Sequence, residues 1–572
     1  MDNNMTEPNL EENIIFGLLS KATQHDQRLI KAQHIVQELR ENAMRQDQLL
    51  QKAYEIIHDL RSEQASKAVE QQAIECKAAD LVETVAMTFR QVENTKLIIT
   101  PELPAWAPLA ISGDVSEILL KHPVKVKKIG LENAKPQDTL AKLRNTWVGR
   151  IYIDHLKHFS AVRSFVFWFW RNGYPIYVNH ISTWFTKGKT RKWQSISNLV
   201  DFSKKMDVKI QSLTDSVIVK TPRPNLFPIQ DHDYLVSPHD QYVFPEIFVA
   251  AIKNATVYGG TNLTLVDDEV ICHNLYDFER DYTSEELHGR TLIDPKSMRI
   301  RWLLHDDTPV NIPLAATFVD ACAPNYAHWI TEVLPRIVMF CAEQRFKDIP
   351  IVVNDGLHKN IMESLFLVAG AEREIITVPI GKALAVDELY VTSVAGYVPF
   401  ERRATKMDGH SHGMFSPSAF ELLFDSLDIL FSKDLEQDWP EKIFLRRNSG
   451  MRKVTNAGEL ENLMVSQGYT IIEPEKLSFS QQVQLFRNAK IIVGSSGAAL
   501  ANLVFAPKNT KIVILIGKFP DTSYWYWQNM ACASGNIVSY VFGTINNNNT
   551  KGIHSDFTID LDDLMASIEG KK

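Results

Sequence analysis

The sequence predicts an α/β protein: two units of alternating strands and helices, preceded by a long helical segment. Three observations predict it. From about Ser212, apolar runs of strand length alternate with helix-length periodic segments, the pattern of a parallel sheet covered on both faces. The stretch VAGYVPFERRATKMDGHSHGMFSPSA, rich in Gly, Pro and Ser, divides that alternation in two. Upstream, Leu18 to Thr100 contains neither glycine nor proline. A chain of 572 residues exceeds a single core. The expected division is 1–95, 96–211, 212–395 and 396–572.

Residues 1–95 read as a coiled coil. Ile15, Leu18, Ala22, His25, Leu29, Ala32, Val36 and Leu39 keep a 3-4 spacing that runs on to Ile57 and Leu60. The expected role is homo-oligomerisation; a long helix folded back on its own domain is the other reading. Residues 96–211 read as a mostly helical connecting segment. It holds FSAVRSFVFWFWRNGYPIYV, with Phe165, Phe167, Trp168, Phe169 and Trp170 between Arg163 and Arg171. That run is shorter than the roughly 20 residues a membrane span needs. It suits a buried helix or an interfacial helix resting peripherally on a membrane.

In 212–395, Ala255–Val257, the Gly259-Gly260 turn and Leu263–Leu265 predict a hairpin. Strands are expected at Ile349–Val353, Ile375–Val378 and Glu388–Thr392, and helices at Asn325–Phe340 and Ile361–Val368, with Pro335 kinking the first. In 396–572, Ile443-Phe444-Leu445 runs into Arg446, Arg447, Arg452 and Lys453. Tyr469–Ile472 is a strand, and a helix follows with Ser478 or Ser480 as its cap. Lys490–Val493 then stops at Gly494-Ser495-Ser496-Gly497 and turns into a small-residue helix, AALAN. A strand ending in glycines and opening a helix leaves backbone N–H groups for an anion, and arginines from a neighbouring strand end fit a diphosphate.

His328 and Glu332, four apart on one helix face, suit an oriented general base, although such pairs are often only structural hydrogen bonds. Asn325 is the expected N-cap. The net charge of −8 argues against non-specific nucleic-acid binding. Five scattered cysteines, none in a CxxC pair, fit a reducing compartment, and the acidic start MDNNMTEPNLEEN lacks a signal-like apolar core. A cytoplasmic location is expected, in the membrane-contact reading on the inner face of a membrane.

NYAHWITEVLPRI, FLRRNSGMRKVTN and GYTIIEPEKLSFSQQVQLFRNAKIIVGSSGAALANLVF, in that order, resemble glycosyltransferase family 61 over roughly 231–567. The family includes capsule-type polysaccharide transferases and O-linked glycan transferases. The resemblance implies a GT-B fold, a pair of Rossmann-like domains with the acceptor side in 212–395 and the nucleotide-sugar donor side in 396–572. It further implies inverting transfer to a glycan or other hydroxyl acceptor in surface polysaccharide or glycoconjugate synthesis. No cofactor or metal is expected. The implied catalytic residues are His328 and Glu332. Donor residues are Arg447, Arg452, Asn456, Glu473, Gly494, Ser495, Ser496, Gly497, Ala498 and Asn502; acceptor-side residues are Asn325, Trp329 and Arg336.

Two departures stand out. Ser496 occupies the place of the family's usual histidine, and Ala457 that of an acidic residue. They leave open an altered donor preference, weaker activity, or a catalytically degenerate, coiled-coil-organised protein that binds glycan or nucleotide. The Asp231-His232-Asp233 pair would suit a metal-dependent transferase, but it sits in a Pro- and His-rich loop where aspartates are common. His410 and His412 have no carboxylate or cysteine at ligand spacing. Trp525 and Trp527 either pack or stack on a sugar.

Overall fold

The computed structural model describes residues 126–128, 162, 193–229, 240–303, 308–400, 412–431, 438–448, 452–518, 525–546 and 555–570, all in the unit Leu103–Lys572. The coiled coil expected over 1–95, the aromatic run 165–170, Asp231–Asp233 and His410 lie outside these residues.

Two sheets organise the rest. The first has a parallel block in the order Val126–Lys128, Ile375–Val378, Ile351–Asn354, Val310–Thr317, Ala383–Thr392. Ile247–Tyr258 continues it antiparallel, then Thr264–Val266, Glu269–Cys272, Gln194–Asn198, Arg299–Trp302 and Thr291–Asp294. The hairpin forms as expected, Ala255 opposite Val266, with Gly260 at φ +81° in the turn. Ile351–Asn354 and Ile375–Val378 are buried throughout, as strands covered on both faces must be. Where 96–211 was expected to be mostly helical, its described residues also give Val126–Lys128 and Gln194–Asn198 to this sheet.

The second sheet is parallel in the order Thr470–Ile472, Lys442–Leu445, Ile491–Ser495, Lys511–Gly517, Ile537–Ile545, Asn225–Phe227, with Phe557–Thr558 antiparallel on Ile537–Ile545. Its edge strand Asn225–Phe227 comes from the chain before the first sheet's main strands, a pairing that local pattern does not encode. Ser478 caps the helix Phe479–Asn488 in a capping box with Gln481.

The sheets share a core. Helix Leu334–Cys341 packs against helices Lys359–Ala369 and Pro417–Phe431. Phe318, Trp329 and Phe340 join Phe420, Phe479 and Phe505 in one apolar cluster. Removing one such ring costs about 3–5 kcal/mol. Glu363 adds a polar tie, accepting from the N–H groups of Phe479 and Ser480, both at 2.9 Å, so a carboxylate of one half caps a helix of the other.

Candidate active site

Two clusters sit at the carboxyl ends of parallel strands, where open α/β sheets gather ligands. The first follows Val310–Thr317. Asn325 caps the next helix by accepting from the Ala327 N–H at 3.0 Å. The helix starts as α at Tyr326–His328, becomes π over Trp329–Val333 and resumes as α at Leu334–Cys341. Pro335 gives the reason. It lacks an N–H, and its ring would clash with the carbonyl four residues back, that of Thr331. The π turn relieves the clash without breaking the helix where a kink was expected, and the Leu334 N–H bonds instead to the Trp329 carbonyl. Gly396 accommodates the Thr331 carbonyl, since a Cβ there would lie 2.0 Å from its oxygen.

On this turn His328 Nδ1 is hydrogen-bonded to Glu332 Oε1, with the side chains 15% and 14% exposed. Burial works against the imidazolium of His328, but the Glu332 charge and hydrogen bond, with Asp320 behind them, outweigh it and raise the pKa. Burial raises that of Glu332 too, against the pull of His328. The Phe400 ring lies 5.9 Å from the imidazole. Arg336 stands on the inner side, with Nη2 on Asp320 Oδ2 at 3.2 Å and Nε on the Glu332 carbonyl at 3.1 Å. Trp329 points into the core, fully buried, and its Nε1 donates to Ser364 Oγ at 2.7 Å.

The second cluster arises because Lys442–Leu445 and Ile491–Ser495 are neighbours, Leu445 opposite Gly494. A Cβ on Gly494 would approach that of Leu445 to 3.0 Å. Successive side chains of an extended chain face opposite ways. Arg446 accordingly turns to Glu461 and Glu473, while Arg447 lies over the glycine turn and donates to the Ser496 carbonyl at 3.2 Å. Gly497 is extended, so its backbone does not demand glycine; what a Cβ there would meet is the end of the Arg447 side chain, 2.1 Å away at Nη1. Ala498 then opens the 3₁₀ helix Ala498–Phe505, whose first N–H groups have no intrahelical acceptor. Arg452, at φ +58°, has a buried Nε with no hydrogen-bond partner. Burial, then repulsion from Arg447, lowers its pKa to about 10, and burial lowers that of Arg447. Two desolvated guanidiniums that repel each other have the charge and the donor geometry that suit an anion.

Other candidates have structural partners. Glu473 holds Lys476 and Arg446, whose hydrogen bonds, that of Lys476 first, depress its pKa to about 2. Asn456 bonds both backbone groups of Ile559, at 2.8 and 3.1 Å. Ser495 is buried, and Ser496 Oγ accepts from Trp527 Nε1 at 3.1 Å. Asn502, fully buried, accepts from the Tyr326 hydroxyl at 2.6 Å and donates to Gln482 at 2.7 Å, which ties the His328 helix to the helix after the glycine turn. Trp527, expected either to pack or to stack on a sugar, packs on Ser496, and Asp320 and Tyr326 are additions to the site. Only Asp320 left a local trace, as the acid closing the apolar strand VNIPLAATFVD. Among the described residues no group of three His, Cys, Asp or Glu stands where it could hold a metal, and no helix is long and apolar enough to cross a membrane.

Residues 326–513 match the family model described as Glycosyltransferase 61. The match spans the His328 helix, Arg447, Arg452 and the glycine turn. None of the curated proteins matches the chain.

Proposed function

With residues 326–513 matching glycosyltransferase family 61, we propose that the chain transfers a sugar from a nucleotide-sugar donor to a hydroxyl of a glycan or similar acceptor, with inversion and without a metal. The observation that carries this reading is the Arg447–Arg452 pair beside the glycine turn, where a buried Arg452 Nε lacks a partner. A diphosphate would give it one and relieve the repulsion.

In this reading the two halves are a GT-B pair, the first holding the acceptor and the second the donor. The acceptor hydroxyl attacks the anomeric carbon while its proton passes to His328 Nε2, the nitrogen that does not face Glu332. The new C–O bond forms as the bond to the diphosphate oxygen breaks on the opposite face. Arg447, Arg452 and the N–H groups at Ala498 take up the charge left on the nucleoside diphosphate. Preorganised donors of this kind are worth about 3 kcal/mol each.

A panel of nucleotide sugars, assayed for transfer and for donor hydrolysis with and without EDTA, tests the proposal. Turnover that survives EDTA and is lost in His328→Ala supports it. Loss of turnover in EDTA, or a His328→Ala/Glu332→Ala variant as active as the parent, overturns it. The second reading is a non-catalytic binder, favoured by the burial of Ser496 against Trp527; nucleotide binding without turnover would select it. The N-terminal 95 residues would assemble copies of the chain in surface polysaccharide or glycoconjugate synthesis, on or near the inner face of a membrane. Light scattering of the full chain against a truncation tests the assembly, and vesicle co-sedimentation tests the membrane contact.

A further inference from the structure

We propose that Asp320 is a positioning residue that, acting through Arg336, holds the π turn beneath Glu332 and sets the proton affinity of the His328–Glu332 pair. The proposal rests on reading that pair as the transferase base. Asp320 is 8% exposed and fixed from every side. Its Oδ1 accepts from the Cys322 N–H at 2.8 Å. Its backbone N–H donates to Asn354 Oδ1 at 3.0 Å, and its carbonyl accepts from Asn354 Nδ2 at 2.9 Å. Oδ2 takes Arg336 Nη2, and Arg336 Nε in turn holds the Glu332 carbonyl. One guanidinium thus joins a rigid carboxylate to the backbone of the residue that orients the base. Arg336 reaches that carbonyl with a second nitrogen, which a point-charge lysine could not do.

Among the described residues, Asp320 and Arg336 are the charges outside the pair that act on it most directly. Burial raises the thiol of Cys322 and the phenols of Tyr397 and Tyr526, so all three stay neutral near pH 7. Burial likewise holds His273 down to about 3, and Glu285 titrates only at about 7. Arg290 lies beyond them, against the Gly260 and Ala321 carbonyls. The Asp320 charge favours the proton on both members of the pair, and the Arg336 charge opposes it on Glu332.

Asp320→Asn preserves shape and one of the two acceptor oxygens, with the amide nitrogen taking the place of the other, and removes the charge. In the full chain with ring-labelled histidine, the His328 titration followed by NMR should move to lower pH, and the acid limb of kcat/KM should move with it. Arg336→Gln should move the acid limb to higher pH, a reversal that a purely structural role does not produce. Should Asp320→Asn fail to fold, the double variant, which buries no unpaired charge, should show a smaller shift of the same sign as Asp320→Asn. An unchanged His328 titration in the folded single or double variant overturns the proposal. So does a shift of the acid limb in the same direction for both single changes. Because the titration is read without donor or acceptor, a chain that transfers nothing would defeat the transferase reading while still testing this one.

Discussion

The Tyr326 hydroxyl donates to Asn502 Oδ1 at 2.6 Å, and this bond joins the helix carrying His328 to the helix that begins at the glycine turn. Candidate base and candidate anion site therefore share one polar link across the apolar core between the two sheets. Tyr326→Phe leaves a fully buried amide oxygen without that donor, which costs about 1–3 kcal/mol. Thermal unfolding should begin several degrees lower, and turnover should fall with little change in nucleotide affinity. A variant that loses affinity but not turnover would contradict the assignment of Asn502 to alignment.

Gly497→Ala tests the anion site without touching a charged residue. The new methyl would occupy the place of Arg447 Nη1, the flexible end of a side chain, so the guanidinium moves and the fold does not. Calorimetric titration with a nucleoside diphosphate should give an affinity lower by about 10-fold or more, the worth of one charge-assisted hydrogen bond. The melting temperature should stay close to that of the parent. Unchanged affinity would remove Arg447 from the site.

Arg452 carries its charge at a cost to the empty protein. Its folded pKa is depressed, so the charged form is penalised at every pH below about 10 and the penalty eases only above it. Arg452→Gln should therefore leave the unliganded melting temperature unchanged or raised, while nucleoside diphosphate no longer raises it. A variant that melts lower when empty and still responds to the ligand would show that Arg452 is structural.

How much of this could be read in the sequence follows from how local each feature is. His328 and Glu332 meet because residues four apart share a helix face, and the π turn between them alters that little. Arg447 and the glycine turn were legible because strand, basic residues and glycines each have local signatures. Which face a side chain takes has none. Trp329 lies on the same helix as His328 but goes to the core, and Arg446 and Arg447 part in opposite directions. Asp320 and Asn354 meet only because their strands are neighbours in the first sheet, while Arg336 turns back onto Asp320 from the helix that follows the strand.

Ser496 stands where the family resemblance predicts histidine, and its neighbour explains why histidine would not fit. The serine is 2% exposed and its hydroxyl accepts the Trp527 indole N–H, so the indole fills space beside it. Ser496→His should overpack the site, lowering stability by about 1–3 kcal/mol in denaturant unfolding, with no gain in donor binding. The paired change Ser496→His/Trp527→Ala should recover part of that loss by making room. Tighter donor binding in the single variant would show instead that the serine is a plain loss of function.

Glu285 offers a pH test with a definite sign. It is fully buried, and burial, reinforced by Asp320, lifts its carboxyl to about 7 against the pull of the Asn262 N–H and Arg290. Its ordinary value is about 4.3, so the folded state binds this proton more tightly than the unfolded state. The resulting stability is fully present below pH ~4.3, declines as pH rises, and is gone above about 7. His273, held down to about 3, works the other way, losing stability as pH falls below its usual value of about 6.5. Only the difference between parent and variant isolates Glu285. Glu285→Gln keeps an oxygen for the Asn262 N–H, which Oε1 now accepts at 2.9 Å, and cannot ionise. Parent minus variant melting temperature should therefore fall steadily from pH 5 to pH 7 and flatten above it. A difference that stays flat across that window, or rises with pH, would mean that Glu285 is already ionised in the folded protein at low pH.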